Sequence, residues 1–276
     1  MSKIRRAFPL STSLVSRINS IPRRYSSITA QTRTLATEVA GHLHNVFLHP
    51  RTPVRKLLKL ILDQQVDSNA ADDDGMTPIL HAIRHDLTEH VCLLHKYGAK
   101  LDVTDPQGRT PLHLACMPNS EPFMEHVVKI LLTHGARVNA RDNWGNTPLH
   151  HVCMGSAPPC SMTVGLLLKH GADKEARNNK GVTALHLAVR WGYEPGIEVF
   201  IKRGADVNCQ DSAGRTPLHY VAQSTASWAQ ELIDMLLDKG ARLDLKDVDG
   251  YTAEEVARRN GSGLLFRRGD EDGGQR

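Results

Sequence analysis

The stretch Thr147-Pro148-Leu149-His150 decides the fold, because versions of it recur along the chain at nearly constant spacing. The related tetrapeptides begin at Thr77, Thr110, Thr183, Thr216 and, in degenerate form, Thr252. Successive threonines of this series stand 33, 37, 36, 33 and 36 residues apart. Self-similarity at a fixed period of about 20–50 residues is typical of repeat architectures. The 276-residue chain is therefore predicted to be an array of similar units.

A Gly-Ala pair gives each unit a second fixed point. Its glycines are Gly98, Gly135, Gly171, Gly204 and Gly240. Each glycine is followed by the next repeat threonine after 12 residues, whereas the distance from threonine to glycine varies from 21 to 25. All the variation in length thus falls in one segment of the unit, and the segment that links units has a constant length.

The residue types predict the structure of one unit. Threonine can cap a helix through its hydroxyl group, and proline suits the first helical position because it needs no N–H partner. Leu112 and Ala115 then form an apolar i, i+3 stripe, and the apolar run over residues 127–132 predicts a second helix that ends at glycine. The constant link has turn chemistry, with Asp142 and Gly145 in the third copy. Such a unit cannot bury its apolar face alone, so it must stack on its neighbours.

This pattern resembles the ankyrin repeat, which has a period of about 33 residues and the signature TPLHxA. The resemblance covers residues 54–266 as five full copies with partial, capping copies at both ends. It implies an all-α solenoid of stacked helix-turn-helix units with projecting β-hairpin loops. It also implies that ligands are held by the hairpin tips and by exposed positions of the first helices, on the concave side.

Residues 1–37 differ from the repeats in composition. They contain seven Lys and Arg residues and no acid, whereas the rest of the chain has 27 basic and 30 acidic residues. Apolar residues at helical spacing over residues 10–21, followed by Arg23-Arg24-Tyr25-Ser26, are typical of a mitochondrial transit peptide with a processing site. We therefore expect a mitochondrial location; the alternative is a basic tail on a cytoplasmic or nuclear protein. Residues 38–53 are interpreted as a linker and residues 267–276 as a disordered tail.

Composition argues against several classes of partner and site. No apolar run approaches the roughly 18 residues that a membrane helix requires, so no membrane partner is expected. The repeat region has a slight excess of acid and no basic-aromatic interleaving, which argues against a nucleic-acid partner. Five cysteines without a CxxC pair argue against a disulfide framework and a zinc knuckle.

Histidine is abundant, with 15 residues, and could suggest catalysis or metal binding. Four histidines occupy the TPLH position, where the resemblance implies hydrogen bonds to neighbouring repeats: His113, His150, His186 and His219. His81 and His85 have the i, i+4 spacing of a two-ligand metal site but no third ligand in the motif, which favours a surface pair. A metal-dependent enzyme would need this pair or the unplaced histidines 42, 44 and 49.

The cysteines do not indicate a catalytic nucleophile either. Cys116 and Cys153 align with small core-facing residues of other copies, which favours packing over chemistry. Cys160 lies in an inserted loop and is expected to be the most exposed thiol. Because no Ser-His-Asp arrangement or phosphate-binding glycine loop is visible, the chain is predicted to be no enzyme and to use no cofactor.

Candidate partner-binding residues follow from the repeat register. The position before the turn glycine holds Gln107, Trp144 and Lys180; the ends of the first helices hold Arg84 with His85 and Arg190 with Trp191, near Tyr193. Aromatic and arginine side chains at the surface are over-represented among binding hot spots. For Trp191 the alternative is packing against a neighbouring inter-helix loop, and Trp228 is expected to anchor the lengthened turn of the fifth copy.

These features predict a non-catalytic scaffold or adaptor, monomeric on its own, that binds one or more proteins through its concave face and hairpin tips. A regulatory or accessory subunit of a mitochondrial or biosynthetic enzyme complex is the first alternative, because a solenoid acts through its partner. A metal-dependent enzyme is the second alternative.

Overall fold

The computed structural model describes residues 67–85, 87–117, 124–154 and 161–266. The N-terminal segment, the linker, the helix expected in the N-terminal partial repeat, the inserted loops of the second and third copies and the C-terminal tail lie outside these residues. The helices of the described segments are, in chain order, α1 Pro78–Arg84, α2 Thr88–Lys96, α3 Pro111–Ala115, α4 Met124–Thr133, α5 Pro148–Val152, α6 Ser161–Lys169, α7 Ala184–Arg190, α8 Glu194–Lys202, α9 Pro217–Ala222, α10 Ala229–Asp238 and α11 Ala253–Arg259.

The helices form two stacked layers, as the repeat pattern predicts. Each of the first five units contributes a short first helix and a longer or equal second helix that pack together: α1 with α2, α3 with α4, α5 with α6, α7 with α8, and α9 with α10. The first helices α1, α3, α5, α7, α9 and α11 also pack in series, as do the second helices α2, α4, α6 and α8. The all-α solenoid expected from the sequence is confirmed.

The core lies between the two layers and repeats with the sequence. The residue two positions after each repeat threonine is at most 1% exposed in five units: Ile79, Leu112, Leu149, Leu185 and Leu218. In the sixth unit Glu254 occupies this position, is exposed, and pairs with Arg258 at 3.0 Å. The replacement of core leucine by charge shows why the stack ends here.

The second helices end as the sequence predicts, at a left-handed glycine. Gly135 has φ +82, and the N–H of the following Ala136 donates to the Leu131 carbonyl at 2.9 Å, which closes the last turn of α4. The units are joined by tight turns, such as the bond from the Asp142 N–H to the Asn146 carbonyl at 2.9 Å. The expected β-hairpins are present as turns without a strand ladder, since the described residues contain one isolated bridge, between Lys246 and Thr252.

The C-terminal end is closed by α11 and the six residues after Asn260. Phe266 is buried and Leu264 packs against the core, while the Gln230 side chain exchanges two 2.9 Å hydrogen bonds with the Leu265 backbone. Thus a short non-helical segment replaces the missing second helix of the sixth unit. Among the described residues, no helix is long and apolar enough to cross a lipid bilayer.

Candidate functional site

The hairpin tips form a continuous row, because backbone hydrogen bonds join them. The N–H of Asn143 donates to the Gln107 carbonyl and that of Asn179 donates to the Trp144 carbonyl, both at 3.0 Å. Lys180 directly follows Asn179. The structure therefore brings three of the sequence-predicted contact residues, Gln107, Trp144 and Lys180, side by side.

The three tip side chains differ in solvent exposure. The Trp144 side chain is open to solvent, with 55% of the residue exposed. Lys180 is exposed too, whereas Gln107 is half-buried and its carboxamide oxygen accepts a hydrogen bond from Arg109 at 3.1 Å. A large aromatic side chain on a fixed turn loses little conformational entropy when it binds, so Trp144 is the strongest contact candidate of the row.

The Trp144 turn is held by one buried carboxylate. Oδ1 of Asp142 accepts hydrogen bonds from the N–H groups of Trp144 and Asn146 at 2.9 and 2.8 Å, and Oδ2 lies 2.8 Å from Nε2 of His151. Burial tends to raise the pKa of Asp142, but the hydrogen bonds from His151 and Asn146 outweigh it and hold that pKa below its ordinary value. The carboxylate thus stays ionised and fixes the tip from beneath.

The predicted contact residues at the ends of the first helices form a second, separate group. Arg84 and His85 at the end of α1 are exposed, as are Arg190 and Trp191 at the end of α7, with Trp191 44% exposed. Because a seven-residue helix is about 10 Å long, these ends lie a helix length away from the tips where the helices begin. The structure therefore does not gather all the predicted residues at one point.

Tyr193 was wrongly expected at the partner-binding surface. It is 5% exposed and belongs to the hydrophobic core, where a Cβ added at Gly196 would overlap its ring. Its repeat register could have revealed this, because Tyr193 corresponds to Leu87 of the first unit, which also packs against the core. The glycine in α8 makes the space that the larger ring needs.

Trp228 anchors the lengthened turn of the fifth unit, as expected. It is the N-cap residue of α10 and packs against the core. Its ring also lies over the backbone of Gly192, where an added Cβ would come within 2.5 Å of Cε2. The turn of the fifth unit thus meets the turn of the fourth unit directly after the exposed Trp191.

The four TPLH histidines hold the repeats together, as the family resemblance implied. In the second unit, Nδ1 of His113 accepts the backbone N–H of Thr110 at 3.0 Å, so Nε2 bears the proton and donates to the Asn146 carbonyl of the next unit at 3.0 Å. The same bridges run to the next unit from the other three members: His150 to Val182, His186 to Arg215, and His219 to Tyr251. These rings are therefore structural.

Burial lowers the pKa of three of these histidines to about 4, namely His113, His150 and His186. The geometry explains the direction, because a protonated ring would place an N–H where Nδ1 now accepts the threonine N–H. A histidine that stays neutral at physiological pH and has both nitrogens engaged is a poor candidate for general base catalysis.

The favoured interpretation of His81 and His85 as a surface pair is wrong for His81. His81 is buried, and its Nε2 lies 2.6 Å from Asp72, while His85 is exposed and stacks on it with ring centroids 6.4 Å apart. His151 has the same relation to Asp142, nine residues earlier. This i, i+9 spacing in two units is the sequence signal that could have placed His81 under its hairpin.

The thiols of the described core are protected from reaction. Cys116 and Cys153 are buried as predicted, and burial raises the pKa of both thiols. Burial also raises the pKa of Cys209 to about 11. Cys160 and histidines 42, 44 and 49 lie outside the described residues. Within those residues, no group of three or more His, Cys, Asp or Glu side chains is placed to hold a metal ion.

Sequence reasoning missed two basic residues in the tip row. Arg141 and Arg177 each stand directly before the turn Asp or Asn of their hairpin, and both are exposed. The Arg141 guanidinium donates to the Arg177 carbonyl, and the Arg177 guanidinium donates to the Gln210 carbonyl. The periodic position before the turn could have identified both from the sequence.

Comparison with known proteins agrees with the repeat register. A family model described as ankyrin repeats (3 copies) matches residues 52–142 and residues 123–211, and a single ankyrin-repeat model matches residues 213–248. No curated protein matches the chain. The family is thus recognisable from the repeats, and the partner must be inferred from the surface.

Proposed function

Because the chain belongs to the ankyrin-repeat family, whose repeats are generally protein–protein interaction modules, we propose that it is a scaffold or adaptor that binds a protein partner through its hairpin tips and the ends of its first helices. The observation that carries this proposal is Trp144, 55% exposed at the tip of a turn fixed by hydrogen bonds. Such a side chain contributes nothing to the core, whereas rigid exposed tryptophans are frequent binding hot spots.

The repeat array supports this function by its rigidity. Histidine bridges and tip-to-tip hydrogen bonds connect successive units before any partner arrives. A preformed surface loses little ordering entropy on docking, and a stable contact needs about 800 Å² per partner. We propose that the monomer docks its partner without refolding.

We propose that the chain acts without catalysis and without a cofactor. The support is that the buried histidines and carboxylate named above have structural tasks: the TPLH histidines bridge repeats, and the Asp142 carboxylate fixes a turn. Their replacement should therefore reduce stability first and binding second.

For location, we propose import into mitochondria, on the basis of the acid-free composition of residues 1–37. In that compartment the partner would be an enzyme complex of which this chain is an accessory or regulatory subunit. Cytoplasmic and nuclear partners are the alternative outcomes of the experiment below.

Proximity labelling in living cells tests these proposals. A labelling enzyme fused to the C-terminus of the chain should enrich a defined set of proteins, and Trp144→Ala should lose much of that set. Met162→Ala is the matched control, because Met162 is 62% exposed and lies on a second helix. Retention of the whole set by Trp144→Ala and Trp191→Ala would contradict the proposed surface.

A chain lacking residues 1–37 tests the location separately. If the full-length form labels mitochondrial matrix proteins and the truncated form does not, the import proposal is supported. If both forms label the same cytoplasmic or nuclear set, that proposal is wrong and the binding proposal is unaffected.

A further inference from the structure

The third and fourth hairpins present three basic side chains around one exposed tryptophan, and we propose that this surface binds an acidic segment of a protein partner. The residues Arg141, Trp144, Arg177 and Lys180 are called the tip cluster below. The inference rests on the proposed function and adds the chemistry of the partner. It is carried by the placement and charge of these four side chains.

Hydrogen bonds fix the members of the tip cluster next to one another. The Arg141 guanidinium donates to the Arg177 carbonyl. The N–H of Asn179, which lies between Arg177 and Lys180 in the sequence, donates to the Trp144 carbonyl at 3.0 Å. A carbonyl oxygen orients a guanidinium without neutralising it. Since each guanidinium has five N–H donors, several are left for a carboxylate ligand.

The charge of the tip cluster is not balanced within its own hairpins. The third hairpin contains one acid, Asp142, which is 6% exposed and already accepts hydrogen bonds from its turn and from His151. The fourth hairpin has the neutral Asn178 at the same position, where it accepts from the Lys180 N–H at 2.9 Å. At their tips, over residues 141–144 and 177–180, these two hairpins thus expose three positive charges and no negative charge. Asp173 and Glu175 of the fourth hairpin lie before its turn, where Glu175 accepts the Asp206 N–H at 3.0 Å.

Several cations of the described chain are neutralised by ion pairs, whereas those of the tip cluster are not. Ion pairs among the described residues join Lys202 to Glu198 at 2.6 Å and Arg258 to Glu254 at 3.0 Å, for example. None of the ion pairs found there includes Arg141, Arg177 or Lys180.

In the flanking second and fifth hairpins the turn arginines are neutralised, with Arg109 paired to Asp105 at 2.6 Å and Arg215 to Asp211 at 2.8 Å, and the outermost hairpins have acidic tips. Asp73 and Asp74 are exposed on the first hairpin, and Asp249 is exposed on the sixth. The positive charge at the tips is therefore greatest in the middle of the row, where it matches a short acidic segment. Trp144 between the cations adds an apolar contact, so the segment should contain an apolar side chain as well as carboxylates.

The distribution of charge along the chain favours an acidic polypeptide as the ligand, rather than a nucleic acid or the chain's own N-terminal segment. Residues 38–276 have 27 basic and 30 acidic residues, so a long polyanion such as nucleic acid would be repelled beyond the tip cluster. Residues 1–37 are basic and acid-free, so the chain's own N-terminal segment would also be repelled.

Fluorescence anisotropy with the full-length chain tests the proposal. The probe is a short fluorescein-labelled peptide of Glu and Asp residues with one Phe and one Leu, and its comparison is the same peptide with Gln and Asn in place of the acids. The acidic peptide should bind at least about ten-fold more tightly, and its affinity should fall as salt is raised, because screening weakens exposed charge pairs.

A matched pair of charge reversals locates the binding. The triple variant Arg141→Glu, Arg177→Glu, Lys180→Glu should lose the acidic peptide. The control triple variant Lys129→Glu, Lys169→Glu, Lys239→Glu makes the same change in net charge at exposed lysines of the second helices or their ends and should keep it. Trp144→Ala with Lys180→Glu spares both arginine-to-backbone hydrogen bonds and should also lose the peptide while melting like the parent chain.

Several results would overturn the proposal. Equal affinity for the acidic and the amide peptide would show that carboxylates are not recognised. Equal loss in the two triple variants would show a response to net charge only. Displacement of the peptide by single-stranded oligothymidine that binds more tightly would assign the surface to nucleic acid.

The labelling experiment separates this inference from the proposed function. If Trp144→Ala loses its labelled proteins but the acidic peptide does not bind, the acidic partner is wrong and the docking surface stands. If neither Trp144→Ala nor Trp191→Ala changes the labelled set in cells, the proposed function itself is wrong.

Discussion

At the scale of single residues, the TPLH histidine performs two tasks, and the sixth unit retains only one of them. His113 accepts the N–H of Thr110 and donates to the next unit. In the sixth unit Glu255 accepts the Thr252 N–H at 2.8 Å and has no such donor. Where no following repeat needs a donor, a carboxylate suffices to cap the helix.

The neutral histidines predict a loss of stability in mild acid. His113, His150 and His186 have folded pKa values of about 4, below the ordinary 6.5, so the unfolded chain binds more protons between these values. Their contribution should be complete above pH 6.5 and should decline as the pH falls towards 4, by at most roughly 3 kcal/mol per histidine. Urea unfolding across this range measures it.

A single substitution tests the contribution of one buried histidine. His150→Gln should lower stability at neutral pH and flatten the pH dependence, because one buried titrating ring is gone. An unchanged slope in His150→Gln would contradict the assigned protonation state.

Gly192 predicts a second single-residue effect. Gly192 and Gly204 have nearly equal φ, +67 and +69, but an added Cβ meets the Trp228 ring only at Gly192 and meets nothing at Gly204. Gly204→Ala should cost about 1–2 kcal/mol from backbone strain, and Gly192→Ala about 1–3 kcal/mol more from overlap with Trp228. Thermal unfolding of both variants measures the difference; equal costs would exclude the packing of Trp228 on Gly192.

Residue environments were the least predictable part of the site. The register placed Gln107, Trp144 and Lys180 correctly in one row, because the turn repeats at constant length. It misplaced Tyr193, whose burial depends on the space at Gly196, and His81, whose partner Asp72 is nine residues away. Both errors concern contacts between elements, which repeat spacing alone does not specify.

At the scale of the element, each hairpin depends on the Asp or Asn that begins its turn. Asn178 accepts the N–H groups of Lys180 and Val182 through one oxygen, at 2.9 and 3.1 Å, as Asp142 does in the preceding hairpin. The amide therefore supports the turn but lacks the charge that Asp142 offers to His151.

This comparison predicts a graded response at Asp142. Asp142→Asn should keep the turn and cost about 1–2 kcal/mol through the weakened bond to His151, whereas Asp142→Ala should cost at least about 3 kcal/mol because buried N–H groups lose their acceptor. Urea unfolding gives both values. If alanine and asparagine cost the same, the carboxylate does not hold the turn.

The elements themselves were largely predictable. The threonine, proline and glycine positions gave the starts and ends of the helices, because helix termini depend on local interactions. The expected cap by the threonine hydroxyl is formed by Thr110 and Thr252, whereas Thr147, Thr183 and Thr216 place their hydroxyl 2.8–2.9 Å from the histidine Nδ1. The strand ladder expected in the hairpins is absent from the described residues, because their turns close with few backbone pairs. The N-terminal partial repeat and the inserted loops stay predictions.

At the scale of the whole molecule, the repeats allowed the architecture to be predicted from the sequence, but they did not allow the partner to be predicted. Similar units specify how they stack on each other, as the buried series from Ile79 to Leu218 shows. The side chains at the tips lie outside this buried series and differ from unit to unit, as Gln107, Trp144 and Lys180 show, so the repeat pattern does not specify them.

The most direct measurement is site-specific photo-crosslinking in cells, with benzoylphenylalanine in place of Trp144 and, in a parallel chain, in place of Met162. Both residues are exposed, but one lies at a hairpin tip and the other on a second helix. We expect a discrete protein adduct from the tip position and none, or a different one, from the helix position. No adduct at the tip, or the same adduct from both positions, would contradict the claim that this protein binds its partner through its hairpin tips.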